Sequence, residues 1–353
     1  MLIAGRYEPT GAAAWGGMAE VHRMIDTHLD REIILKRLRN PADARRLVDE
    51  KKALLRLRSK HVVQLFDIVQ YDYKGTQETG LILEFIDGKD LRPRSYEPDE
   101  TYLRVLWQVA SGLADIHEAG VIHRDIKPDN IRLDGSGTIK LLDFGLARQA
   151  GTDDSTRSII GTLGYMAPEL LSAISGTTIQ FSRAVDVYSF GVVAIALLNQ
   201  DLPSELAGRT PRPLPAGSLA RSAPELPADV SSMIERCVAL SPQDRPAITE
   251  VRDLLGLYLL RDRHRAIMVM GSSKYELSSQ SRDVHLRAGT VGSLDIHYDG
   301  LRFTVQEVIG ETFINATTAI PGQQMPPACV ITFGTGRNRA FLTFDVSNPE
   351  VLA

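Results

Sequence analysis

The chain has 353 residues, a formal net charge of -4 and two cysteines. At about 150 residues per domain, this length predicts two to three folding units. An apolar fraction of 43% and a charged fraction of 24% are those of an ordinary soluble globular protein, which excludes a disordered, collagen-like or coiled-coil chain.

The sequence does not have the pattern of a membrane-spanning or nucleic-acid-binding protein. Its longest apolar runs, such as Phe190 to Leu198, are far shorter than the roughly 18 to 20 residues that span a bilayer. Met1 to Glu8 do not resemble a signal peptide, and the nearly balanced charge gives no reason to expect nucleic acid. Cys237 and Cys329 are too few for a disulfide framework, which predicts a cytoplasmic location.

Residues 1–83 are predicted to form short strands around one helix. In chain order these are a strand from Ile33 to Leu38, a helix from Asp43 to Leu57, and strands from Val62 to Val69 and from Leu81 to Ile86. Four leucines are predicted to share the apolar face of the helix: Leu47, Leu54, Leu55 and Leu57.

Residues 96–262 are predicted to be mainly helical. A long helix spans Asp99 to Glu118 and stops at Gly120, and Phe190 to Asn199 is apolar on all sides, as expected of a buried helix. Six prolines between Leu202 and Asp229 predict an extended surface loop. A helix from Ile248 to Arg265 would close this domain.

Residues 266–353 have a different character, because strand-like runs alternate with turn residues. This pattern favours a small barrel or a sandwich of short strands. The strands are predicted at Ala266–Met270, Ser293–His297, Leu301–Val308, Thr312–Ala316, Cys329–Phe333 and Arg339–Phe344.

One short stretch of the sequence carries the residues for phosphoryl-transfer chemistry. Asp125, Lys127 and Asn130 lie on one tight loop, and Asp143 follows after a predicted strand. Asn130 and Asp143 supply two metal-seeking oxygens, Lys127 a cation and Asp125 a carboxylate base. Phosphoryl transfer depends mostly on positioning and on electrostatic stabilisation of spread negative charge, which such a set provides.

With His123 and Arg124 directly before Asp125, and Phe144 and Gly145 directly after Asp143, the chain resembles a eukaryotic-like serine/threonine protein kinase over roughly residues 6–262. The resemblance implies an α+β, bilobal fold with a β-rich N-lobe (1–86) and a helical C-lobe (87–262). A small β-barrel domain (263–353) is expected to follow.

The same resemblance implies a role for each residue of the site. Asp125 would accept the proton of the substrate hydroxyl, Lys127 would steady the transferred phosphate, and Asn130 and Asp143 would hold Mg²⁺. Lys36 would bind the α- and β-phosphates of ATP.

Supporting residues are also implied. Lys36 would pair with Glu50, with Asp49 as a rival on the next helical face. Glu169 would pair with Arg245, and Asp186 would anchor the backbone of the catalytic loop.

The predicted nucleotide pocket departs from the family pattern at four positions. Ala14 and Ala19 replace the outer glycines of the glycine-rich loop, where glycine allows close approach to phosphate. Ile34 replaces a small alanine above the base, and Arg132 replaces an apolar residue below it. Arg132 could stack flat on the purine or point outward to solvent. The predicted ATP-binding residues are Gly16, Gly17, Val21, Ile34, Lys36, Glu84, Ile86, Arg132 and Leu142.

The segment between Gly145 and Gly161 resembles an activation loop. In the family, the arginine at the position of Arg124 receives a phosphate from this loop, so autophosphorylation at Thr156 or a neighbour could order it. The predicted regulatory residues are Arg124, Thr152, Ser155, Thr156, Ser158 and Thr162.

The last 90 residues weakly resemble a PilZ domain, a small β-barrel that binds cyclic di-GMP. Arg261 and Arg265 form an R-x-x-x-R motif, and Asp295 and Gly300 fit D-x-S-x-x-G with His297 in place of the serine. A helix C-terminus also favours cations, so these arginines could be purely structural.

Together these features predict an ATP- and Mg²⁺-dependent protein kinase with a β-rich regulatory or substrate-recruiting tail. Its partners would be protein substrates, with cyclic di-GMP as a candidate ligand of the tail. A pseudokinase scaffold and a cyclic-di-GMP-responsive signalling protein are the alternatives.

Overall fold

A computed structural model describes residues 2–10, 14–15, 19–38, 44–73, 75–144, 148–149, 163–173, 182–198, 201–207, 210–336 and 339–347. The chain divides into two compact units, Met1–Leu255 and Gly256–Leu352. The mixed helix and sheet content expected of the fold is confirmed. No helix among these residues is long and apolar enough to cross a membrane.

The first unit begins with a six-stranded antiparallel sheet in the order β1-β3-β4-β6-β5, with β2 paired to β3. Its apolar face includes Met24, Leu35 and Ile82. The strands are β1 (Tyr7–Pro9), β2 (Ala14–Trp15), β3 (Ala19–Asp26), β4 (Arg31–Leu38), β5 (Leu65–Tyr73) and β6 (Thr76–Glu84).

One helix, α1 (Ala44–Leu54), lies between β4 and β5 in the chain. It ends three residues before the predicted boundary, and Leu55 is 62% exposed. The prediction that Leu55 belongs to the apolar face was therefore wrong, because that face exists only while the helical period continues.

Helices are the main regular elements described in the rest of the first unit. The amide of Tyr102 donates to the side chain of Asp99 at the start of α2, and the chain leaves the helix at Gly120, which has a positive φ of 74°. Helix α4 is buried on all sides from Val185 to Leu197, as its apolar sequence predicts. The helices are α2 (Glu100–Glu118), α3 (Pro168–Ala173), α4 (Ala184–Leu197), α5 (Ser204–Ala207), α6 (Ser218–Ser222), α7 (Ala228–Cys237) and α8 (Ile248–Leu259), the last of which crosses the division between the units.

The proline-rich stretch from Leu202 to Asp229 is not only a loop, since it contains α5 and α6. Pro203 directly precedes α5, and Pro227 directly precedes α7. Proline breaks a helix from its interior but is tolerated before it and in its first turn, so these prolines mark where helices begin.

Five short strands lie beside these helices and carry the loops of the site. They are β7 (Gly88–Asp90), β8 (Val121–Ile122), β9 (Ile131–Asp134), β10 (Ile139–Leu141) and β11 (Arg148–Gln149). Strand β9 pairs with β7 on one side and β10 on the other.

The second unit contains two antiparallel sheets, ordered β13-β12-β20-β19-β17-β18 and β14-β15-β16. The predicted closed barrel is not seen in the described part of this unit, because both strand orders are open. The two sheets share one apolar core that includes Met268, Leu294, Ile331 and Phe344. The strands are β12 (Ala266–Met270), β13 (Ser273–Leu277), β14 (Asp283–Ala288), β15 (Gly292–Tyr298), β16 (Phe303–Gly310), β17 (Thr312–Ile314), β18 (Thr317–Thr318), β19 (Ala328–Phe333) and β20 (Ala340–Val346).

Candidate active site

The loop that carries Asp125 is anchored by Asp186, a fully buried residue in the first turn of α4. Its carboxylate accepts backbone hydrogen bonds from His123 at 2.9 Å and Arg124 at 2.7 Å, and His117 Nε2 lies 2.8 Å from it. Burial acts to raise the pKa of Asp186, but the hydrogen bond with His117 and the other donors outweigh it and hold the pKa below its ordinary value. The most buried helix of this unit therefore fixes the position of the loop.

Two non-glycine residues of this region have left-handed backbone. Arg124 has a φ of 71° and Asp143 a φ of 58°. Such conformations cost about 1–3 kcal/mol each and persist only where the surroundings enforce them. They place Asp125 and Asp143 in geometries that a relaxed chain would seldom adopt.

Within the loop, three predicted residues are in direct contact. Lys127 Nζ lies 2.9 Å from Asp125 Oδ2. The side-chain nitrogen Nδ2 of Asn130 donates to the same carboxylate oxygen at 2.9 Å and to the Asp125 backbone carbonyl at 2.8 Å. This arrangement fixes the rotamer of Asn130 and directs its amide oxygen away from Asp125.

A second cluster joins three distant parts of the chain at Lys36. Its Nζ lies 2.7 Å from Glu50 Oε1 on α1 and 2.8 Å from Asp143 Oδ1. Burial acts to lower the pKa of Lys36, but the charges of Glu50 and Asp143 outweigh it and raise the pKa above its ordinary value. Lys36 is therefore a permanent cation, and α1 is held against β4.

The Asp143 turn is joined to the loop that carries Asp125 by hydrogen bonds of the Leu142 backbone. The amide of Leu142 donates to the carbonyl of Asn130 at 2.8 Å, and the Leu142 carbonyl lies 2.9 Å from His123 Nε2. Phe144 is fully buried, with its ring 4.7 Å from that of His123. The two clusters therefore belong to one hydrogen-bonded assembly.

Arg245 and Glu169 form the predicted supporting pair. Two guanidinium nitrogens of Arg245 contact the two carboxylate oxygens of Glu169 at 2.7 and 2.8 Å. The same guanidinium donates to the carbonyls of Ala184, Ala239 and Leu240. This bidentate pair joins α3 to α4 and to the loop after α7.

The predicted nucleotide residues line the strands around these clusters. Val21 is opposite Lys36 in the β3–β4 pair, and Ile34 lies on the same face two residues earlier. Glu84 ends β6 and forms an ion pair with Lys140 at 2.9 Å. Arg132 does not point freely into solvent, because its guanidinium reaches Asp90 and the Ile86 carbonyl.

A sequence model of the protein kinase domain matches residues 13–254, which is more than half of the chain. The chain belongs to the protein kinase family. This confirms the resemblance that the motifs around Asp125 and Asp143 predict.

Curated relatives of this kinase are serine/threonine-protein kinases. PknL of Mycobacterium bovis is 30% identical over 331 residues, which cover 86% of this chain and 79% of that protein. A kinase named drp72 in Corynebacterium efficiens is 31% identical over 258 residues, 70% of this chain and 48% of that protein. The probable kinase pknA2 of Bifidobacterium longum is 33% identical over 217 residues, 57% of this chain and 27% of its own length. The chain thus spans about half the length of the Corynebacterium efficiens kinase and about a quarter of the length of the Bifidobacterium longum kinase.

Several predicted residues of the kinase lie outside the described residues. They are Gly16 and Gly17 of the glycine-rich loop, and Thr152, Ser155, Thr156, Ser158 and Thr162 of the activation loop. For Ala14 and Ala19 only the backbone is described. Among the residues that are described, no cluster of three or more His, Cys, Asp or Glu side chains could hold a metal ion.

Two residues that contact predicted nucleotide-binding residues were missed by sequence reasoning. Lys140 pairs with Glu84, and Asp90 pairs with Arg132. The signal that could have found them is cross-strand register, since Arg132 lies opposite both Asp90 and Lys140 in the β7-β9-β10 sheet.

The four predicted dinucleotide residues of the second unit are not gathered by direct contacts between their side chains. The Arg265 side chain contacts Glu276, and Asp295 contacts His285. The two motifs do meet through the backbone, because the amide of Asp262, next to Arg261, donates to the Gly300 carbonyl at 2.8 Å.

Proposed function

We propose that this chain is an active serine/threonine protein kinase that transfers the γ-phosphate of ATP to protein hydroxyl groups. The observation that carries the proposal is the contact of Lys36 with both Glu50 and Asp143. This cluster brings the phosphate-binding cation and a metal-seeking carboxylate together, and backbone bonds join it to the Asp125 loop.

Each polar residue then has a role that its contacts support. Asp125 accepts the proton of the attacking hydroxyl, and Lys127, 2.9 Å from that carboxylate, stabilises charge on the transferred phosphoryl group. Lys36 binds the α- and β-phosphates, and Glu50 fixes its position. Catalysis by such a set is mainly positioning and electrostatic stabilisation.

The donor set fits Mg²⁺, which prefers oxygen ligands. The amide nitrogen of Asn130 is bound to Asp125, which leaves its amide oxygen for a cation. The Asp143 side chain remains 50% exposed while one of its oxygens contacts Lys36. When bound, Mg²⁺ would neutralise the charge of the β- and γ-phosphates, held by these two residues.

Transfer of radiolabelled phosphate from ATP to a generic basic protein tests the proposal. Asp125→Asn and Asp143→Asn should each lower kcat by at least about 100-fold, the lower limit for loss of a positioned catalytic group. Asp129→Asn is the matched control, because Asp129 is an exposed residue of the same loop and should retain activity.

A pseudokinase scaffold predicts a different result. The wild-type chain would then bind ATP in calorimetry yet transfer no label, and Asp125→Asn would be indistinguishable from it. The complete Lys36–Glu50–Asp143 cluster favours the enzyme.

Autophosphorylation of the activation loop is a finer part of the proposal. A phosphate adds about -1.5 to -2 charge at neutral pH and would pair with Arg124, whose backbone is already fixed by Asp186. Intact-mass analysis after incubation with Mg-ATP should show added phosphate in the wild type and none in Asp125→Asn. An unchanged wild-type mass would contradict this part alone.

For the second unit we propose a regulatory or substrate-recruiting role, with cyclic di-GMP as a candidate ligand. The backbone bond between the R-x-x-x-R segment and the Gly300 turn favours a shared site, whereas the Arg265–Glu276 pair would have to open. Calorimetry of the full chain with cyclic di-GMP, using Arg261→Ala as the comparison, tests this. No heat at high micromolar ligand would remove it.

A further inference from the structure

Arg132 lies on β9, two residues after Asn130, and its side chain crosses to the segment that joins β6 to β7. Residues 85–87 form this connector. Arg132 Nε donates to Asp90 Oδ1 at 2.9 Å, and Nη1 donates to the Ile86 carbonyl at 3.4 Å. The guanidinium is therefore held at two points, one on the connector and one on β7.

The strand register fixes the direction of this side chain. Arg132 is directly opposite Asp90 on one side and Lys140 on the other, so the three side chains share one face of the small sheet. Lys140 is nine-tenths buried and paired with Glu84 at the end of β6. Of these two cations, Lys140 is thus buried in an ion pair with Glu84. The Arg132 side chain remains 31% exposed beside the connector.

Strands β4 and β6 connect Lys36 to the same connector. Ile34 is two residues before Lys36 on β4 and pairs with Leu83, one residue before the end of β6. Because Ile34 lies on the same face of β4 as Lys36, and β6 continues from Leu83 through Glu84 into the connector, a nucleotide whose phosphates contact Lys36 would extend its base past Ile34 towards the connector. The Arg132 guanidinium contacts the Ile86 carbonyl of the connector, so it lies at the end of that path.

We infer that Arg132 is a nucleotide-affinity determinant of this kinase, on whose guanidinium plane the purine of ATP stacks. This inference rests on the proposed function. A guanidinium is planar and weakly hydrated, so it stacks on aromatic rings in a way that the ammonium group of lysine does not. The contacts to Asp90 and Ile86 hold the plane in place before nucleotide arrives, which reduces the ordering cost of binding.

Steady-state kinetics of the full chain with ATP tests the inference. Arg132→Leu removes both plane and charge, whereas Arg132→Lys retains the charge near Asp90 and removes only the plane. Both variants should raise KM for ATP by about tenfold with kcat changed less than about twofold, which is within the range of one partly desolvated cation–π contact. A merely structural role would lower kcat or stability instead of changing KM alone.

Coupling to Asp90 supplies a second readout. If Asp90 acts on nucleotide affinity by holding the guanidinium, Asp90→Ala should raise KM by about threefold when Arg132 is present and have no further effect in the Arg132→Leu background. Arg104→Leu is the matched control, since Arg104 forms a surface ion pair with Glu100 on α2. Its KM should equal that of the wild type.

The outcomes separate this inference from the proposed function. If the wild type neither binds ATP in calorimetry nor transfers phosphate, the proposed function fails. If the wild type is active and both Arg132 variants show an unchanged or lower KM, only the stacking role is refuted. If KM for ATP rises in Arg132→Leu but equals the wild-type value in Arg132→Lys, the stacking role is also refuted, because charge alone would then explain the effect.

Discussion

The Arg245–Glu169 pair gives the sharpest stability prediction. The Arg245 side chain is fully buried and that of Glu169 is 18% exposed. Glu169→Ala leaves an uncompensated buried guanidinium, a change that typically costs 3–5 kcal/mol. Since Glu169 retains some contact with water, we expect a loss of about 3 kcal/mol, equivalent to a fall in Tm of about 6–12 °C for a unit of this size.

The double variant Arg245→Met/Glu169→Ala shows how much of the lost stability comes from the unpaired buried charge and how much from lost hydrogen bonds. Removing both charges restores part of the stability. The recovery is incomplete because Arg245 also donates to three carbonyls, those of Ala184, Ala239 and Leu240. Each buried acceptor left without its donor costs about 1–3 kcal/mol unless water replaces it.

Urea unfolding followed by tryptophan fluorescence is suited to this measurement. The chain has two tryptophans, Trp15 and Trp107, and both lie in the first unit, so the signal reports on that unit. Glu100→Ala, which breaks the exposed pair with Arg104, is the control and should cost less than about 1 kcal/mol. A Glu169→Ala loss no larger than the Glu100→Ala loss would refute the reasoning.

Two further predictions concern Asp186 and Gly88. The pKa of Asp186 lies below its ordinary value of 3.8 in the folded chain, so its ionised form stabilises the fold at neutral pH and this contribution is lost as the pH falls below about 4. The free energy of unfolding of Asp186→Asn should therefore change less than that of the wild type between about pH 5 and pH 3, and an equal slope would exclude this residue as the source. A Cβ added at Gly88 would lie 2.1 Å from the Leu133 carbonyl oxygen, so Gly88→Ala must shift backbone and should cost about 1–3 kcal/mol. Gly135→Ala has open space around its Cβ and should be close to neutral, and equal losses in the two variants would contradict the argument.

Patterns within one short segment predicted part of the kinase directly, whereas the long-range Lys36–Glu50 and Glu169–Arg245 pairs were predicted only through the family resemblance. Asp125, Lys127 and Asn130 fall within six residues, so their contact depends on one loop. The helix after Asp99 and the buried character of α4 likewise follow from local capping and local composition.

The features that sequence reasoning missed depend on register between distant strands. Whether Arg132 meets Asp90 is set by the pairing of β7 with β9, and a shift of one residue would turn the side chain to the other face. The open sheets of the second unit are a similar case, since alternating strands and turns do not specify whether the first and last strands pair.

The left-handed backbone of Arg124 and Asp143 has a consequence for how this kinase fails. Both conformations are unfavourable on their own, and that of Arg124 is enforced by Asp186 on α4. When packing around α4 loosens, these two residues gain from relaxing before the rest of the unit unfolds. Inactivation by mild denaturant should therefore precede the loss of compact structure, and damage to the interior of α4 would be measured first as lost turnover.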